Sequence, residues 1–372
     1  MTLPNSSLSR FVRVSLAVAI SAFAMLPVSA QEICGLASVQ YNLMHSDGFE
    51  SSSGTTAASI ATTVGVSAAP EAKAESWPQA SISLGRPLGY APRIVKGVAP
   101  TITFVSPSDG ATLPGRTFEI RGTFTGPINT GVSINGSPAR TFGTQWVAMP
   151  IRPPAGPFVI TAVATAYDGM TANASRNVTV GNTVPLIELL PKQPGNIAPA
   201  VIGFTLRFGG VVTGNVQIDF NGDSVNEYDG PQSGVPSSYT YATPGVYTAR
   251  AQAIVETLSV SSEANLVIAD VIVQRERACA VYGALRTALA AGELEASLQA
   301  FTNHQQEALR PFFTSLGINR SVFATRLGTI ANGLIGLDSA KLRTLRIEAG
   351  LPVAYPLEIA ASEDGVWRIA SF

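Results

Sequence analysis

Apolar and polar residues alternate along residues 101–182 in about seven short runs, separated by turn residues. The run at 117–124 is the clearest, because apolar and polar side chains follow each other as they do in a half-buried strand. Asp168 and Gly169 form a hairpin signal between two longer runs. Short strands at this spacing predict an all-β sandwich over residues 101–182.

A second alternating region covers residues 183–270 and contains a tight corner. An aromatic run at 239–241 leads into Pro244 and Gly245, after which a strand pattern resumes. Proline presets the φ angle of a turn, and glycine accepts a positive φ at little cost. We therefore expect Gly245 to have a positive φ, and we expect a second sandwich over residues 183–270.

The pattern changes to helical spacing in residues 271–372 and then returns to alternation. Gly292 is a candidate helix C-cap, and Asp364 with Gly365 is a candidate hairpin turn. Helices are predicted over 275–291, 293–313 and 321–327, and strands over 341–349, 353–360 and 366–372. The expected fold class is therefore two all-β sandwiches followed by a small α+β domain.

Residues 1–30 have the pattern of a secretory signal, with a positively charged start, an apolar core at 14–26 and small residues at 28–30 before a cleavage site. The apolar core is shorter than the about twenty residues of a membrane span, and a retained anchor is the alternative. Residues 31–100 are mostly small and polar with several prolines, which predicts a flexible tether. We therefore expect an exported protein of the periplasm, cell surface or extracellular space, with no membrane span after signal cleavage.

Composition excludes several classes of function. The net charge is −1 and only 13% of residues are charged, which argues against binding to nucleic acid through a basic face. Two Cys and two His are too few for a typical Cys/His zinc site. The chain also lacks a Gly-x-Ser-x-Gly elbow, a His-Glu-x-x-His helix and a phosphate loop, so we expect neither an enzyme nor an organic cofactor.

Three stretches resemble known families. The run SPSDGATL at 106–113, together with AYDG at 166–169, resembles bacterial immunoglobulin-like domains. The stretch IDFNGDS at 218–224, followed by the YTYATPGVY run at 239–247, resembles the polycystic-kidney-disease-type (PKD) domain. Ile218 stands where that family has Trp, and the motif carries one extra residue and a final Ser in place of Gly.

The C-terminal region resembles the NTF2-like (cystatin-like) cone fold. The resemblance depends on AAGELEASL at 290–298, on the closing DGVWRIASF at 364–372 and on the order of helices before strands. It implies a curved sheet that encloses a pocket. Aromatic residues could line such a pocket or belong to a plain core; these are Phe312, Phe313, Tyr355 and Trp367.

The loop after residue 218 carries oxygen side chains at alternate positions. Asp219, Asn221 and Asp223 occupy positions one, three and five, and Glu227 and Asp229 follow. Hard oxygen ligands at this spacing suit Ca²⁺. These three residues are the predicted metal site.

The same loop departs from a calcium-binding EF-hand at two positions. Ser224 stands at position six, where that motif has Gly, and Gly230 stands at position twelve, where it has a bidentate Glu. The alternative is that Asp and Asn only cap backbone turns between two strands. Both interpretations remain open from the sequence.

Cys34 and Cys279 are the two cysteines of the chain. In an oxidising compartment they would form a disulfide that ties the N-terminal tail to the first C-terminal helix. The alternative is a free thiol in the tail and a small buried residue on the helix. His304 and Glu307 could form an acid–base pair, but their neighbours indicate a solvated helix face.

These observations predict an exported, non-enzymatic protein that acts in adhesion, scaffolding or ligand binding through its immunoglobulin-like domains. The expected partner is a surface protein or a glycan. The alternative is an accessory or carbohydrate-binding component of a secreted degradative enzyme system.

Overall fold

The structure is a computed structural model that describes residues 28–31, 34, 38–41, 91–113, 118–148, 152–193 and 195–372. Two short N-terminal strands pair antiparallel, β1 (Val28–Gln31) and β2 (Ser38–Tyr41). The predicted cleavage site therefore lies within β1. The rest of the predicted signal sequence, and residues 42–90 of the predicted tether, lie outside the described residues.

Residues 91–100 have no regular secondary structure, but they are not free of the folded regions. Pro92 and Pro100 are buried, and Ile94 packs against the hydrophobic core of the C-terminal region. The backbone N–H of Gly97 donates to Asp168 Oδ2 at 2.6 Å. These positions differ from the predicted flexible tether, because their apolar side chains are buried against the folded regions.

Two sheets enclose the core of the first sandwich. One has the order β3-β5-β9-β8 and the other β4-β11-β10-β6-β7. Trp146 is buried between them, with its ring 5.3 Å from that of Phe104 in an edge-on arrangement. The strands are β3 (Thr101–Ser106), β4 (Ala111–Leu113), β5 (Arg121–Thr125), β6 (Gly131–Ile134), β7 (Ser137–Pro138), β8 (Arg140–Phe142), β9 (Gln145–Val147), β10 (Gly156–Thr165) and β11 (Thr171–Val180).

The second sandwich also has two sheets, of order β12-β14-β17 and β13-β19-β18-β15-β16. Its core contains Ile202, Ile218, Phe220, Tyr241 and Leu266. The strands are β12 (Ile187–Pro191), β13 (Gly195–Ile197), β14 (Ala200–Phe208), β15 (Val212–Asp219), β16 (Tyr228–Gly230), β17 (Ser238–Tyr241), β18 (Gly245–Val255) and β19 (Leu258–Ala269).

The corner at Pro244 and Gly245 joins the two sheets of the second sandwich, since β17 and β18 belong to different sheets. The expected positive φ at Gly245 is wrong, because this residue begins β18 outside the left-handed region. A Cβ atom at Gly245 would lie 3.2 Å from the ring of Tyr247. Glycine is therefore favoured there because the tyrosine ring approaches closely.

The C-terminal region packs four helices against an antiparallel sheet of order β20-β21-β22-β23. Asp270 caps the first helix, with Oδ1 accepting from the N–H of Ile272 at 2.7 Å. The elements are α1 (Val271–Ala290), α2 (Leu294–Leu298), α3 (Asn303–Leu316), α4 (Arg320–Arg326), β20 (Thr329–Ile335), β21 (Ser339–Glu348), β22 (Leu351–Ala361) and β23 (Trp367–Ser371). The cone fold implied by the family resemblance stays a prediction.

The single helix predicted over 293–313 is divided into α2 and α3. Between them the chain pairs with β23: Ile369 donates its N–H to Ala300 O at 2.8 Å and accepts from Thr302 at 3.0 Å. Phe301 is fully buried at this bridge. The pairing with a distant strand replaces the local helical hydrogen bonds, which helical spacing alone does not reveal.

The three regions contact one another. Asn129 of the first sandwich is buried and bonds the backbone of Trp367 through both amide atoms, at 2.9 and 3.0 Å. A Cβ atom on Gly131 would lie 2.2 Å from the backbone of Gly365, so glycine permits this close approach. Because the regions share contacts and Tyr167 belongs to the C-terminal core, the domain limits at 182 and 270 stay predictions. In the described residues, no helix has the length and apolar character needed to cross a membrane.

Candidate functional site

The loop between β15 and β16 is shaped by one buried carboxylate. Asp219 ends β15 and is 4% exposed. Its Oδ1 accepts from the N–H of Gly222 at 2.6 Å, and its Oδ2 accepts from Ser224 at 2.8 Å. Gly222 and Ser224 have φ values of 79° and 72°, so the chain curls around the carboxylate in the left-handed conformation. This positive φ is the conformation that glycine adopts most readily.

Three carboxylates converge at this loop. Asp219, Asp223 and Glu227 each offer one oxygen atom, and these atoms lie within 4.8 Å of one another. The structure thus brings Asp219 and Asp223 together, as the predicted metal site requires. It adds Glu227, whose Oε2 also accepts from the N–H of Phe220 at 2.6 Å. We call this group the acidic loop.

Two further oxygen-bearing side chains of this stretch, Asn221 of the predicted metal site and Asp229 after it, do not join the three carboxylates. Asn221 Oδ1 accepts from the N–H of Asp223 at 2.8 Å, so the amide stabilises the loop. Asp229 lies on β16, where it accepts from Gln217 at 3.0 Å and from Asn215 at 2.8 Å. The hydrogen bond from Gln217, followed by that from Asn215, lowers the pKa of the Asp229 carboxyl. Asp229 is therefore not part of the acidic loop.

Two interpretations of the acidic loop remain. Carboxylates this close together repel one another, and a divalent cation with hard oxygen ligands would relieve that repulsion. Each carboxylate also accepts a backbone N–H within the loop, so the turn holds its shape without an ion. The Ca²⁺ assignment therefore stays a prediction.

A row of aromatic rings lies beside the acidic loop. Ring centroids are 5.1 Å apart for Phe204 and Phe220, 5.0 Å for Phe220 and Tyr239, 5.0 Å for Tyr239 and Tyr241, and 4.7 Å for Tyr241 and Tyr247. The Tyr241 hydroxyl donates to Phe220 O at 2.8 Å, and burial raises the pKa of this phenol. The aromatic run of the sequence therefore links the core to the surface.

An open groove of about 410 Å³ begins at this surface. Its lining comes from Asn221 and Asp223, from residues 239–243 and from Tyr247. The Tyr239 hydroxyl donates to Glu227 Oε1 at 3.2 Å, and partial burial raises the pKa of that phenol. The groove presents phenol rings next to carboxylate and amide groups, which suits a ligand with both apolar and hydroxyl-bearing faces. We call it the tyrosine groove.

The other predicted site residues lie in the C-terminal region, apart from Cys34, which packs against its core. Cys34 and Cys279 form a disulfide with their Cα atoms 5.3 Å apart, within the usual range. His304 and Glu307 are both exposed on α3, as expected for a solvated helix face.

The four aromatic residues proposed for a pocket are dispersed. Trp367 and Phe313 are buried in the C-terminal core, whereas Phe312 is exposed. Tyr355 donates to Glu348 beneath the guanidinium of Arg346. The structure therefore does not bring these four rings to one pocket.

Sequence spacing identified Asp219 and Asp223 but not the full set of groups around them. The only sequence signal for Glu227 is an acidic side chain just before β16. From the sequence, Tyr239 and Tyr247 are predicted to determine the fold and not to line a site. Their convergence on one groove depends on the crossing of β17 and β18 between sheets.

No protein-family model matches the chain, and no curated protein matches it. Solved structures that align with parts of it include fibronectin III-like and immunoglobulin-like modules. The fibronectin(III)-like modules of Clostridium thermocellum CbhA align at 17% identity over 45% of this chain and 94% of theirs, with a TM-score of 0.18. The Ig1-2 module of the Drosophila receptor protein tyrosine phosphatase DLAR aligns at 12% identity over 46% and 98%, with a TM-score of 0.20.

A tetra-tandem repeat from a large adhesion protein aligns at 16% identity over 46% of this chain and 49% of that chain, with a TM-score of 0.18. A modular endo-β-1,4-mannanase from Cellulomonas fimi aligns at 22% identity, with 26% and 21% covered and a TM-score of 0.18. At such TM-scores these alignments carry no argument about the function of this chain.

Proposed function

We propose that this chain is an exported, non-enzymatic protein of the cell envelope or extracellular space that binds a partner through the tyrosine groove. Adhesion or scaffolding is the role that such binding would serve. The observation that carries the proposal is the joining of Tyr239 and Tyr247 with Asn221 and Asp223 along one open groove. The signal-like start of the sequence and the disulfide support an oxidising compartment.

A glycan is the partner class that the groove favours. Phenol rings pack against the apolar faces of sugar rings, while carboxylate and amide groups bind their hydroxyls. This chemistry also supports the alternative function, an accessory carbohydrate-binding component of a secreted degradative system. A surface protein would use the same groove through its own polar and aromatic side chains.

Binding of the full chain to a panel of bacterial and plant polysaccharides tests the groove. Tyr247→Ala should weaken binding by about 2 kcal/mol if that ring is an anchor of the interface. Tyr355→Ala is the matched control, because it removes a tyrosine from β22, outside the groove. Equal binding by both variants would argue against the groove as the binding surface.

We further propose that the acidic loop binds Ca²⁺ and so holds one wall of the groove. At a hundredfold excess over its Kd, Ca²⁺ should stabilise the folded protein by about 2.7 kcal/mol. The measurement is the thermal unfolding midpoint with CaCl₂ or MgCl₂ at constant ionic strength. Magnesium should have the smaller effect, since it demands stricter octahedral geometry and gives up water reluctantly.

The variants for this test must leave the loop folded. Asp223→Asn with Glu227→Gln keeps Asp219, which holds the turn, and should abolish the shift caused by Ca²⁺. Asp229→Asn is the control and should leave that shift unchanged, because Asp229 bonds Gln217 and Asn215 instead. Absence of a shift in the parent protein would leave the acidic loop as a structural turn.

A further inference from the structure

A second polar site lies where the first sandwich meets the C-terminal region. A cavity of about 140 Å³, partly open to solvent, is bordered by β7, β8, α1, the loop after β20 and the turn before β23. The residues that matter for its chemistry are Arg140, Thr141, Gln274, Arg277, Asp338 and Trp367. We call it the arginine cavity.

The arginine cavity carries more positive than negative charge. Arg277 donates to Thr141 Oγ1 at 2.9 Å, and Arg140 Nη2 donates to Asp338 Oδ2 at 3.2 Å. The Asp338 side chain is 57% exposed whereas that of Arg140 is 14% exposed, so the carboxylate shares its partner with water. Two guanidinium groups therefore face one partly solvated carboxylate.

Burial shifts the pKa of Arg277. It lowers the pKa of this guanidinium to about 10, although the charge of Asp338 acts in the opposite direction. At a pKa of about 10 the guanidinium stays charged at neutral pH, and a second negative group near Arg277 would raise that pKa toward its ordinary value. The cavity thus favours an additional anion.

Several polar atoms of the cavity wall have no partner among the described residues. They include Nε and Nη1 of Arg140 and Oε1 of Gln274, which is 2% exposed. Buried polar groups are almost always hydrogen-bonded, so each orphan requires an explanation. All three atoms belong to residues that line the cavity, so a ligand that both accepts and donates hydrogen bonds would satisfy them if these side chains turned toward it.

The size of the cavity limits the ligand. A protein cavity of about 150 Å³ holds one benzene molecule, so this one has space for a phosphate or a carboxylate head group. Guanidinium groups bind such oxyanions through paired hydrogen bonds. An O–H group on the ligand would supply the donor that Gln274 Oε1 lacks.

We propose that the arginine cavity binds a small oxyanion that carries an O–H group, of the hydrogen phosphate or hydroxycarboxylate class. Its anionic oxygens accept from Arg140 and Arg277, and its O–H donates to Gln274. Because these residues lie on β8 and α1, the bound anion joins the first sandwich to the C-terminal region. Ordered water is the competing occupant.

The test is isothermal titration calorimetry of the full, oxidised chain at constant ionic strength. Inorganic phosphate should bind saturably and more tightly than sulfate, which has no O–H group at neutral pH. Lactate and acetate form the second pair, and they distinguish a hydroxycarboxylate ligand from a phosphate ligand. Saturable binding of neither phosphate nor lactate would overturn the proposal and leave water as the occupant.

Variants locate the binding in the cavity. Arg140→Gln should weaken binding of the preferred anion by about ten- to hundredfold, as expected for loss of a charged hydrogen-bond donor. Arg310→Gln is the control, because Arg310 is exposed on α3 and pairs with Glu295. Equal weakening by both variants would indicate nonspecific attraction and contradict the proposal.

Gln274→Glu covers the case in which the arginine variant does not fold. It keeps the size of the side chain and places a carboxylate beside the two guanidinium groups. This variant should abolish anion binding, while its near-ultraviolet circular dichroism stays like that of the parent. Undiminished anion binding by folded Gln274→Glu would also contradict the proposal.

Discussion

The acidic loop and the arginine cavity are both charged, but their polar atoms are satisfied in opposite ways. In the loop, Asp219 and Glu227 each accept backbone N–H groups from residues at most seven positions away. In the cavity, Arg277 bonds Thr141 across 136 residues, and Arg140 keeps two atoms without partners. In the acidic loop, which is one short segment, neighbouring backbone N–H groups supply the hydrogen bonds of the carboxylates. In the arginine cavity, which forms where two regions dock, some polar atoms stay without partners among the described residues, and a ligand could bond them.

The largest expected effect on stability comes from the disulfide, which is anchored on α1, the helix that carries Arg277 of the arginine cavity. Cys279 lies two residues from Arg277 on α1, and its bond to Cys34 closes a loop of 245 residues. Removing it with Cys34→Ser and Cys279→Ser should lower the free energy of unfolding by about 2–5 kcal/mol. Urea unfolding followed by tryptophan fluorescence measures the change.

Reduction of the parent protein should reproduce the effect of the double variant. Any shift of the unfolding midpoint caused by Ca²⁺ should remain, because the hydrogen bonds between the backbone and the carboxylates of the acidic loop all lie within residues 219–227. Alkylation of both cysteines without prior reduction would show that the bond is absent.

The next largest effect on stability is expected at the contact between the first sandwich and the C-terminal region. Asn129 and Asn135 both have positive φ, and both use their two amide atoms to bond backbone groups. Asn129 is buried and bonds Trp367, whereas Asn135 bonds Val159 and Thr161 within its own sandwich. Asn129→Ala should cost about 3 kcal/mol, because it leaves buried backbone groups unpaired.

Asn135→Ala is the matched control and should cost about 1 kcal/mol, since water can replace its exposed hydrogen bonds. Thermal unfolding of both variants gives the difference. Equal losses of stability in the two variants would mean that burial of the Asn129 hydrogen bonds between the regions does not increase their contribution to stability.

A smaller effect is expected inside the acidic loop. Ser224 adopts a φ of 72° at the loop position where a calcium-binding EF-hand has Gly. Ser224→Gly should stabilise the protein by about 1 kcal/mol by removing the left-handed strain on a side chain. Ser224→Ala keeps a Cβ atom and should change little; if it stabilises as much as glycine, strain is not the cause. Chemical denaturation is sensitive enough to separate the two.

The smallest effect concerns a polar contact between the two sandwiches. Burial is the main cause that raises the pKa of the Glu119 carboxyl above 4.5, opposed by a hydrogen bond from Asn265 and the charge of Arg121. Since the folded pKa is raised, the stabilising contribution is complete below pH 4.5 and is lost as pH rises through the folded pKa. Glu119→Gln should therefore flatten the stability profile above pH 4.5.

The control is Glu307→Gln, which changes an exposed carboxyl on α3. It should leave the pH profile of stability unchanged. If the stability of Glu119→Gln falls with pH in this window as steeply as that of the parent protein, Glu119 is not the cause of the fall.

The candidate loop could be predicted in part because its geometry is local. Asp219 and Asp223 share a turn, so their spacing alone brings their carboxylates together. Glu227 joins them only because the loop curls around Asp219, with Ser224 in a conformation that a serine rarely adopts. Ser224 differs from the EF-hand glycine in its side chain, and it adopts a positive φ of 72° that glycine adopts more readily.

Long-range pairing explains one of the two differences between prediction and structure. The break between α2 and α3 arises because Phe301 bridges to Ile369 of β23. Gly245 was assigned a positive φ from its place after Pro244, whereas the ring of Tyr247 determines the space available there. Only the first difference arises from a residue that is far away along the chain, because Tyr247 is two positions from Gly245 on the same strand.

The sequence by itself determined the alternating strand patterns, the change to helices near residue 271 and the carboxylate spacing of the acidic loop. These features depend on side-chain period and on hydrogen bonds between near neighbours. Only the tertiary structure decided that the tyrosines form a groove, that residues before β3 pack on the C-terminal core, and that Arg140 and Arg277 share a cavity. Such juxtapositions follow from which surfaces dock, and docking depends on buried contacts between residues that are far apart along the chain.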